Sequence, residues 1–513
     1  MIKHKISYQD TKLFSTLVVD YLNENEEVSS FINHFPTVES FKKQIEEKKK
    51  SDTNRSVLVD VLKHQNSTFA LSDKSTTNLD LLKLKNTFTI TTGHQLCLFT
   101  GPLYFIYKII STINLTEELI KEYPENNFVP IFWMASEDHD FEEVNHINLF
   151  GEKIVWDSNQ KGAVGKMSTE SLKDIFIELR QVLGNSENAK KILSLFENAY
   201  QNHATLSDST RYLVNELFGK YGIVIIDGDN KQLKNVFSPF IKRDILEKSN
   251  FHSLKYCSDK LSQKYNLQAF VREVNFFRIS EEKRERIEGG VSEEEIDNNI
   301  EIFSPNVLMR PLYQEYILPN LAYIGGGAEI AYWMQIREMF KKEEVCFPLL
   351  ILRNSSMWIE EKDFTKFISL GFELKDLFCS ENELHNKFIK KQSSISLDFE
   401  KIKIEKLYQG ISDKTSDVGM VSSIHSELKK QLKSFSKLEK KLLKSEKQNH
   451  ETSLNQISKI KNKLFPKNSL QERFENIIPF YLTYGEKFIE TLKEELNPLD
   501  TNFLILSPQK NKQ

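Results

Sequence analysis

Hydrophobic residues change their spacing several times along the chain, and these changes separate segments of different structure. Over the first 80 residues, apolar side chains such as Leu13, Leu17 and Leu22 recur at helical intervals, which predicts a mainly helical start. Short and nearly continuous apolar runs come next. They predict buried β-strands at 87–91, 128–134, 223–227 and 346–352.

The segments between these runs indicate how the strands are connected. A helix is expected from Gly101-Pro102 to Pro124, because proline fits the first helical turn and Tyr107 and Ile110 continue a helical spacing. An order of strand, loop, helix and strand is typical of a parallel, doubly wound α/β sheet. Such sheets bind ligands at the carboxyl ends of their strands, where polar loops follow the first two predicted strands.

Later in the chain the apolar spacing becomes that of a coiled coil. Residues from Val421 to Leu442 repeat at intervals of three and four, and the same spacing extends to Leu464 before Pro466 ends it. Gly410 is a plausible helix stop, so we expect a shorter helix folded against a long one. Eight lysines between 429 and 447 are interpreted as the solvated face of this coiled coil, and nucleic-acid binding is the less favoured alternative.

A chain of 513 residues is longer than a single hydrophobic core usually supports, so several domains are expected. A charged stretch at 281–299 is expected to be an exposed hairpin or loop. We predict N-terminal helices and the first part of the core at 1–151, a helical insertion at 152–220, core at 221–244, a second insertion at 245–305, core at 306–378, the coiled coil at 379–466 and a return to the core at 467–513.

The composition fits a folded cytoplasmic protein. Hydrophobic residues make up 39% and charged residues 28%, and the formal net charge of −4 gives no overall attraction to nucleic acid or an anionic membrane. No apolar run is long enough to cross a bilayer, and no signal-peptide pattern is present. Four widely separated cysteines indicate reduced thiols. Cys97 lies near a candidate active loop and could be a nucleophile, although a small buried residue is the commoner role.

Thr92-Gly93-His94-Gln95 is the first candidate for a functional site. It follows the first predicted strand and precedes the helix expected at Gly101, so backbone N–H groups, side-chain donors and a helix N-terminus would meet there. Such a loop suits a phosphate or a carboxylate, and His94 would donate to it or act as an acid or base. A simple turn with a hydrogen-bonded histidine would give the same pattern.

Glu137-Asp138-His139-Asp140, directly after the second predicted strand, is the second candidate. Glu137 or Asp138 would recognise a substrate ammonium group, and His139 would transfer its proton. If a helix starts here, His139 would share a face with Glu143 and His146, and a metal site is conceivable. The spacing is not that of His-Glu-x-x-His, and the helix dipole alone favours carboxylates at a helix N-terminus, so no metal is predicted.

Three glycines before a helical run at 330–340 form the third candidate. Gly325 and Gly326 would let a ligand approach the backbone closely, although a triple glycine is often only a flexible connection. Glu329 follows them, and Arg310 lies a short way upstream. We expect these residues to complete a pocket for the substrate or a nucleotide.

Together the three motifs resemble the cysteine-adding enzymes of bacillithiol synthesis. The resembling blocks occur in the family's order, and the coiled coil and returning tail match its layout, so the resemblance covers nearly the whole chain. Two positions depart from the pattern, since His94 stands where glutamine is common and Gly327-Ala328 replaces a Pro-Gly pair. The blocks comprise residues 92–95, 98–104 and 107–108, then 130–133 and 137–146, and finally 310–314, 323–326 and 329–333.

The resemblance implies a Rossmann-like parallel sheet core with two connecting insertions and a long α-helical coiled coil. It also implies a ligase that adds L-cysteine to glucosaminyl-malate through an amide bond, the last step of bacillithiol biosynthesis. Amide formation from a free carboxylate is uphill in water, so ATP is expected as the activating co-substrate, with Mg²⁺ as a companion ion. Whether the intermediate is an adenylate or an acyl-phosphate stays open.

The resemblance and the loop positions together suggest roles for individual residues. Two alternatives remain, a cysteine ligase for a different amine and a coiled-coil scaffold whose α/β domain binds a nucleotide or a sugar. The clustered histidines and carboxylates favour an enzyme, and the coiled coil predicts a homodimer. The predicted catalytic residues are His94, Asp138 and His139, and the predicted binding residues are Thr92, Gly93, Gln95, Gly101, Glu137, Arg310, Gly325, Gly326 and Glu329.

Overall fold

A computed structural model describes residues 1–280, 282–392 and 396–508. The parts of the predicted segments at 281, 393–395 and 509–513 lie outside the described residues. The N-terminal segment is mainly helical, as predicted, but it begins with a strand that pairs with the far end of the chain. The elements are β1 (Ile2–Ser7), α1 (Tyr8–Thr11), α2 (Thr16–Leu22), α3 (Glu26–Ser29), α4 (Val38–Lys48), α5 (Arg55–Gln65) and α6 (Asp73–Leu81).

The first unit of the core has the predicted order of strand, helix and strand, and its two strands pair in parallel along their full lengths. The first strand is longer than predicted, so Thr92, Gly93 and His94 belong to it and not to the loop that follows. The helix begins after Pro102 rather than at it. The elements are β2 (Thr87–His94), α7 (Tyr104–Glu122) and β3 (Asn127–Met134).

The segment predicted as a helical insertion contains three long helices preceded by a short antiparallel hairpin. It leads back to the core through a strand that pairs in parallel with β3. The elements are α8 (Phe141–Val144), β4 (His146–Leu149), β5 (Glu152–Val155), α9 (Lys173–Leu183), α10 (Glu187–Gln201), α11 (Leu206–Phe218) and the core strand β6 (Val224–Asp227).

The second insertion contains a three-stranded antiparallel sheet. Of the charged stretch at 281–299, only the start belongs to a hairpin, in which Ile279 lies opposite Arg284, whereas Glu293–Asn298 forms a helix and not the expected hairpin or loop. The elements are α12 (Lys231–Glu247), α13 (Phe251–Ser262), β7 (Phe276–Ile279), β8 (Arg284–Arg286), α14 (Glu293–Asn298) and β9 (Phe303–Pro305).

The core then adds a strand that the sequence did not predict. Residues 320–325, including Gly325 of the expected loop, form a fully buried strand between β2 and the last core strand. The five strands are all parallel, in the order β11-β10-β2-β3-β6, and the Rossmann-like fold class is confirmed. The elements are α15 (Arg310–Ile317), β10 (Asn320–Gly325), α16 (Gly327–Gln335), α17 (Arg337–Lys342) and β11 (Leu349–Leu352).

The coiled-coil segment is a short helix folded against a long one, as predicted. The short helix continues through Gly410, so this glycine does not end it, and the long helical seam is divided at Asn449. No helix among the described residues is long and apolar enough to cross a membrane. The elements are β12 (Ser356–Trp358), α18 (Glu361–Ser369), α19 (Glu381–Gln392), α20 (Asp398–Ser412), α21 (Val418–Asn449) and α22 (Glu451–Leu464).

The C-terminal tail packs against the core helix α7 and contributes a strand to a separate sheet. Its strand lies between β1 and β12, antiparallel to the first and parallel to the second. Trp358 and Gln471 exchange two hydrogen bonds, of 2.8 and 3.0 Å, between the Trp358 backbone and the Gln471 amide. The elements are α23 (Gln471–Phe474), α24 (Ile478–Tyr484), α25 (Lys487–Glu495) and β13 (Asn502–Ser507).

A buried ion pair fixes this returning tail. Glu472 has no exposed surface and lies 2.8 Å from the Arg353 guanidinium. It also accepts hydrogen bonds of 3.0 Å from the Ser355 hydroxyl and from the Ser356 N–H. The carboxylate therefore ties α23 to the segment between β11 and β12.

Replacing Glu472 by glutamine should destabilise the protein by about 3 kcal/mol, because the change leaves the Arg353 charge buried without a counter-ion. Urea denaturation of the wild type and Glu472→Gln would measure the difference in the free energy of unfolding. The control is Glu494→Gln on the exposed face of α25, which should change stability by no more than about 0.5 kcal/mol. Equal stability of the two variants would contradict the assigned role of Glu472.

Candidate active site

A cavity of about 430 Å³ lies at the carboxyl ends of the parallel strands β2, β3 and β10. This is the edge at which open α/β sheets bind ligands. Each of the three sequence motifs contributes to the cavity, and the second insertion supplies a further wall. The lining includes residues 93–95, 133–138 and 304–307, together with Tyr104, Lys108, Gly228, Arg284, Arg310, Tyr323, Glu329 and Tyr332.

His94 is the last residue of β2 and is buried in the cavity wall. Its Nδ1 atom lies 2.8 Å from the carbonyl oxygen of Gln95. A carbonyl oxygen can only accept, so Nδ1 carries the proton and Nε2 keeps a free lone pair. Burial, together with the nearby Lys108 charge, lowers the pKa of His94 from 6.5 to about 3. His94 is therefore neutral at physiological pH, which favours acceptance of a hydrogen bond over the predicted donation to a phosphate.

An ion pair between a buried lysine and a partly exposed carboxylate joins the first and third motifs. Lys108, on α7, donates to the Gly93 carbonyl oxygen at 2.9 Å and pairs with the Glu329 carboxylate. Glu329 also accepts hydrogen bonds from the Tyr323 hydroxyl at 2.6 Å and from the Gly326 N–H at 2.8 Å. Burial opposes the charge on Glu329, but Lys108 and these donors hold its pKa below the usual value. The pair is therefore charged and locks β2 to the start of α16.

Asp138 presents a fixed carboxylate to the cavity. Its Oδ1 accepts the backbone N–H groups of His139 and Asp140 at 2.7 and 3.3 Å, and its Oδ2 accepts the Gln95 amide at 2.7 Å. Gln95 also donates to Glu143 at 2.6 Å, so the first two motifs are hydrogen-bonded to each other. These bonds orient the carboxylate and leave its negative charge in place, which suits a substrate ammonium group.

Glu137 lines the cavity but is also part of a buried charged cluster. The Lys234 ammonium lies 2.6 Å from Glu137 and 2.7 Å from Asp229, and it donates to the Glu301 carbonyl oxygen at 2.9 Å. Burial raises the pKa of Glu137 even with this lysine beside it. The cluster ties α12 to the loop after β3, so Glu137 already has a counter-ion before any substrate binds.

Two arginines bring positive charge to the lining. Arg310, at the start of α15, lies over the rings of Trp133 and Tyr323, with 6.0 and 5.6 Å between its Cζ atom and the ring centroids. Arg284, on β8 of the second insertion, lies over the Phe277 ring at 4.2 Å. The cavity thus combines carboxylates with guanidinium groups, a combination that fits a ligand carrying both charges.

Three of the predicted binding residues support the cavity without lining it. Thr92 lies within β2 and donates to the Ile324 carbonyl oxygen of the neighbouring strand at 2.8 Å. Gly325 ends the buried strand β10, and Gly326 uses its N–H to hold Glu329. Their direct contact with a substrate or nucleotide stays a prediction.

Gly101 and His139 also lie outside the lining. Gly101 has a φ of +61°, and a Cβ atom there would come within 2.5 Å of the Cys97 Cβ, so this position requires glycine for the turn before α7. The His139 side chain is 48% exposed and its Nδ1 lies 3.7 Å from the Asp138 carboxylate. His139 is therefore beside the cavity, within reach of Asp138 and of solvent.

The structure also tests two minor interpretations of the sequence, a metal site near His139 and a nucleophilic role for Cys97. His146 lies on β4, whereas α8 has only four residues and ends at Val144, so His139, Glu143 and His146 do not share a helical face. Within the described ranges, no group of three or more His, Cys, Asp or Glu side chains could hold a metal ion. Burial raises the pKa of Cys97 to about 12, which makes this thiol a poor nucleophile.

Sequence reasoning missed several lining residues. Lys108 carried a usable signal, since a lysine within an apolar helical run is buried only when it is paired. Tyr104 and Tyr332 lie within the blocks that resemble the family, but no spacing distinguished them as residues of a site. Arg284 comes from a charged hairpin whose position over the sheet depends on the folded second insertion.

A parallel five-stranded sheet, with a charged cavity at the carboxyl ends of its strands, defines a Rossmann-like domain. The chain belongs to the bacillithiol biosynthesis BshC family. The model of its N-terminal Rossmann-like domain matches residues 1–354, and that of its C-terminal coiled-coil domain matches residues 357–508.

Curated relatives match along nearly their whole length. A protein of Flavobacterium psychrophilum is 46% identical over 524 residues, covering 98% of each chain, and one of Christiangramia forsetii is 45% identical with 98% of each chain covered. A more distant relative from Bacillus cereus is 26% identical, covering 93% of this chain and 95% of its own. All three carry the name "Putative cysteine ligase BshC".

The buried His94 should make the stability of the protein depend on pH. It binds a proton below about pH 6.5 in the unfolded chain but only near pH 3 in the folded protein, so the unfolded state gains protons first and stability falls as the pH decreases between these values. Between pH 6.5 and pH 4.5, the free energy of unfolding should therefore decrease by about 2 kcal/mol less in His94→Gln than in the wild type. Urea denaturation at both pH values would measure this.

The matched control is His64→Gln, which changes an exposed histidine on α5. It should leave the wild-type difference between the two pH values unchanged. An unchanged difference in His94→Gln would show that His94 is protonated as easily in the folded protein as in the unfolded chain.

Proposed function

We propose that this protein is a cysteine ligase that joins the carboxyl group of L-cysteine to the amine of glucosaminyl-malate and so completes bacillithiol. Membership of the BshC family and the name of the curated relatives support this activity. The observation that carries it in the structure is Asp138, a carboxylate fixed by three hydrogen bonds at a cavity that also contains guanidinium groups. A negatively charged group in this position would bind the ammonium of an amino-sugar acceptor.

Chemistry requires an activated carboxyl group, since an amide does not form spontaneously from a carboxylate and an amine in water. ATP, accompanied by Mg²⁺, is the proposed co-substrate. Gly93 has no side chain, so a ligand could approach its backbone next to the Lys108 ammonium. This part of the cavity wall would accommodate a phosphate or the activated carboxyl group. The acceptor amine then attacks the carboxyl carbon, the amide C–N bond forms, and the phosphate-containing group leaves.

Before it can attack, the acceptor ammonium must lose a proton. Asp138 would orient the ammonium and accept the proton, and His139 would pass the proton to solvent, because it lies 3.7 Å from the carboxylate and is half exposed. His94, neutral and with a free Nε2 lone pair, would accept a hydrogen bond from the same amine or from the cysteine. Glu329 and Lys108 would hold the wall in place.

The activity can be tested with purified protein, ATP, Mg²⁺, cysteine and glucosaminyl-malate, with bacillithiol measured by mass spectrometry. Asp138→Asn should lower kcat by about 100-fold or more, because the amide can neither attract the ammonium nor accept its proton. Glu142→Gln, a change of an exposed carboxylate outside the lining, is the matched control and should retain wild-type turnover. Full activity of a folded Asp138→Asn protein would exclude the assigned role.

A thiol-metabolite profile of cells with and without the gene would test the same proposal in vivo. Loss of bacillithiol with build-up of glucosaminyl-malate would support this step, whereas an unchanged profile would require another acceptor.

We also propose that the protein is a homodimer whose subunits meet through the coiled-coil segment. Large apolar side chains on α20 and at the start of α21 are exposed to solvent, including Phe399 and Leu407 at 63% and 61% and Val418 at 84%. Apolar surface of this kind on a helical hairpin is favourable when a second copy covers it.

Sedimentation of the protein at micromolar concentration should therefore give twice the 59.9 kDa mass of one chain. The double change Phe399→Glu and Leu407→Glu should yield monomers, because it places four charges in the proposed interface of a dimer. Lys437→Glu, which changes an exposed lysine of α21, should sediment as the wild type does. A monomeric wild type would contradict the proposed dimer.

A further inference from the structure

The cavity contains positive charge that the roles above do not explain. Arg284 and Arg310 both line it, and neither forms an ion pair with an Asp or Glu side chain of the described chain. Arg310 donates to Gln314 at 2.8 Å, and its contact with the Tyr332 hydroxyl is long, at 3.5 Å. Both side chains are half-buried, and a charge that is partly removed from water is stabilised by a counter-charge. Two such guanidinium groups at one cavity indicate an anionic ligand.

Arg284 is anchored in the cavity wall. Its Nη2 donates to the Ser304 hydroxyl at 2.9 Å and to the Pro305 carbonyl oxygen at 2.7 Å, and both residues also line the cavity. Ser304 is fully buried. The Nε–H group of Arg284 is buried and has no hydrogen-bond partner among the described residues. The two bonds to Ser304 and Pro305 use both Nη2 hydrogens, so it is the Nη1 amino group of this cavity-lining side chain that remains for an anionic acceptor.

Neighbouring charges restrict the identity of that acceptor. Glu137 and Asp138 are close enough to Arg284 to favour its charged form, although burial has the larger effect and lowers its pKa. These carboxylates would repel a polyphosphate placed against Arg284, away from Lys108, but tolerate a ligand whose ammonium lies beside Asp138. Cysteine has one carboxylate, which the reaction consumes. The malyl part of the acceptor has two, and they match two guanidinium groups.

We propose that Arg284 and Arg310 form a carboxylate-binding subsite for the malyl group of the acceptor. The hairpin β7–β8 of the second insertion thereby selects acidic amino sugars over neutral ones. The proposal rests on the proposed function, since the acceptor is taken from it. Guanidinium groups suit this task because their planar donors match the geometry of a carboxylate.

The wild-type protein alone provides the first test. Calorimetry without ATP or cysteine would compare glucosaminyl-malate with methyl glucosaminide, which has the amino sugar but no carboxylate. Glucosaminyl-malate should bind about tenfold more tightly or better, as expected for charged hydrogen bonds. Equal affinities would overturn the proposal. If glucosaminyl-malate shows this preference but no bacillithiol forms in the ligation assay, the subsite stands and the proposed function fails.

The second test identifies the residue and the source of the carboxylate. Arg284→Met should raise the KM for glucosaminyl-malate about tenfold or more and leave the KM values for cysteine and ATP nearly unchanged, and Arg284→Lys should restore part of the affinity. Arg286→Met, a change of an exposed arginine on the same strand that lies outside the lining, is the matched control. A rise in the KM for cysteine or ATP instead, or no change for the acceptor in folded Arg284→Met, would overturn the assignment. If that variant does not fold, the wild-type comparison decides.

Discussion

The ion pair between Lys108 and Glu329 is the interaction on which the candidate site depends. Lys108 reaches from α7 to the Gly93 carbonyl oxygen, and Glu329 reaches back to the Gly326 N–H at the start of α16. The pair thus connects the carboxyl ends of two adjacent parallel strands, β2 and β10. Removing Glu329 would leave the buried Lys108 ammonium without its counter-ion, at a cost of about 3 to 5 kcal/mol.

Other buried polar contacts extend this framework outward. The Lys234 cluster fixes the loop after β3, and the Gln95 amide holds Asp138 in place. Arg353 pairs with Glu472 of the returning tail and also lies over the Tyr104 ring, 5.1 Å from its centroid. The segment after the coiled coil is thereby connected to a residue of the cavity wall. Rigid support of this kind holds the charged groups of the site at fixed distances from one another.

The apolar pattern predicted those strands whose own residues are continuously hydrophobic, such as 128–134. It missed β10, because Asn320, Gly325 and the glycines that follow resemble a loop, although both neighbours of this strand bury it. It missed β1 because that strand exists only through pairing with β13, at the far end of the chain. For the site, the motifs predicted Gly93, His94 and other lining residues, but the hairpin that supplies Arg284 has no local pattern that points to the cavity.

The spacing of apolar residues was enough to predict an α/β chain with a coiled coil in its C-terminal part and three polar motifs next to predicted strands or helices. The spacing of apolar residues and the composition are local properties of the chain, so they can be determined without knowledge of the tertiary structure. The neutral state of His94, the pairing of Glu329 with Lys108 and the position of Arg284 in the cavity lining follow only from the folded structure. Burial and charge pairing depend on residues far apart in the chain, and only folding brings those residues within a few ångströms of one another.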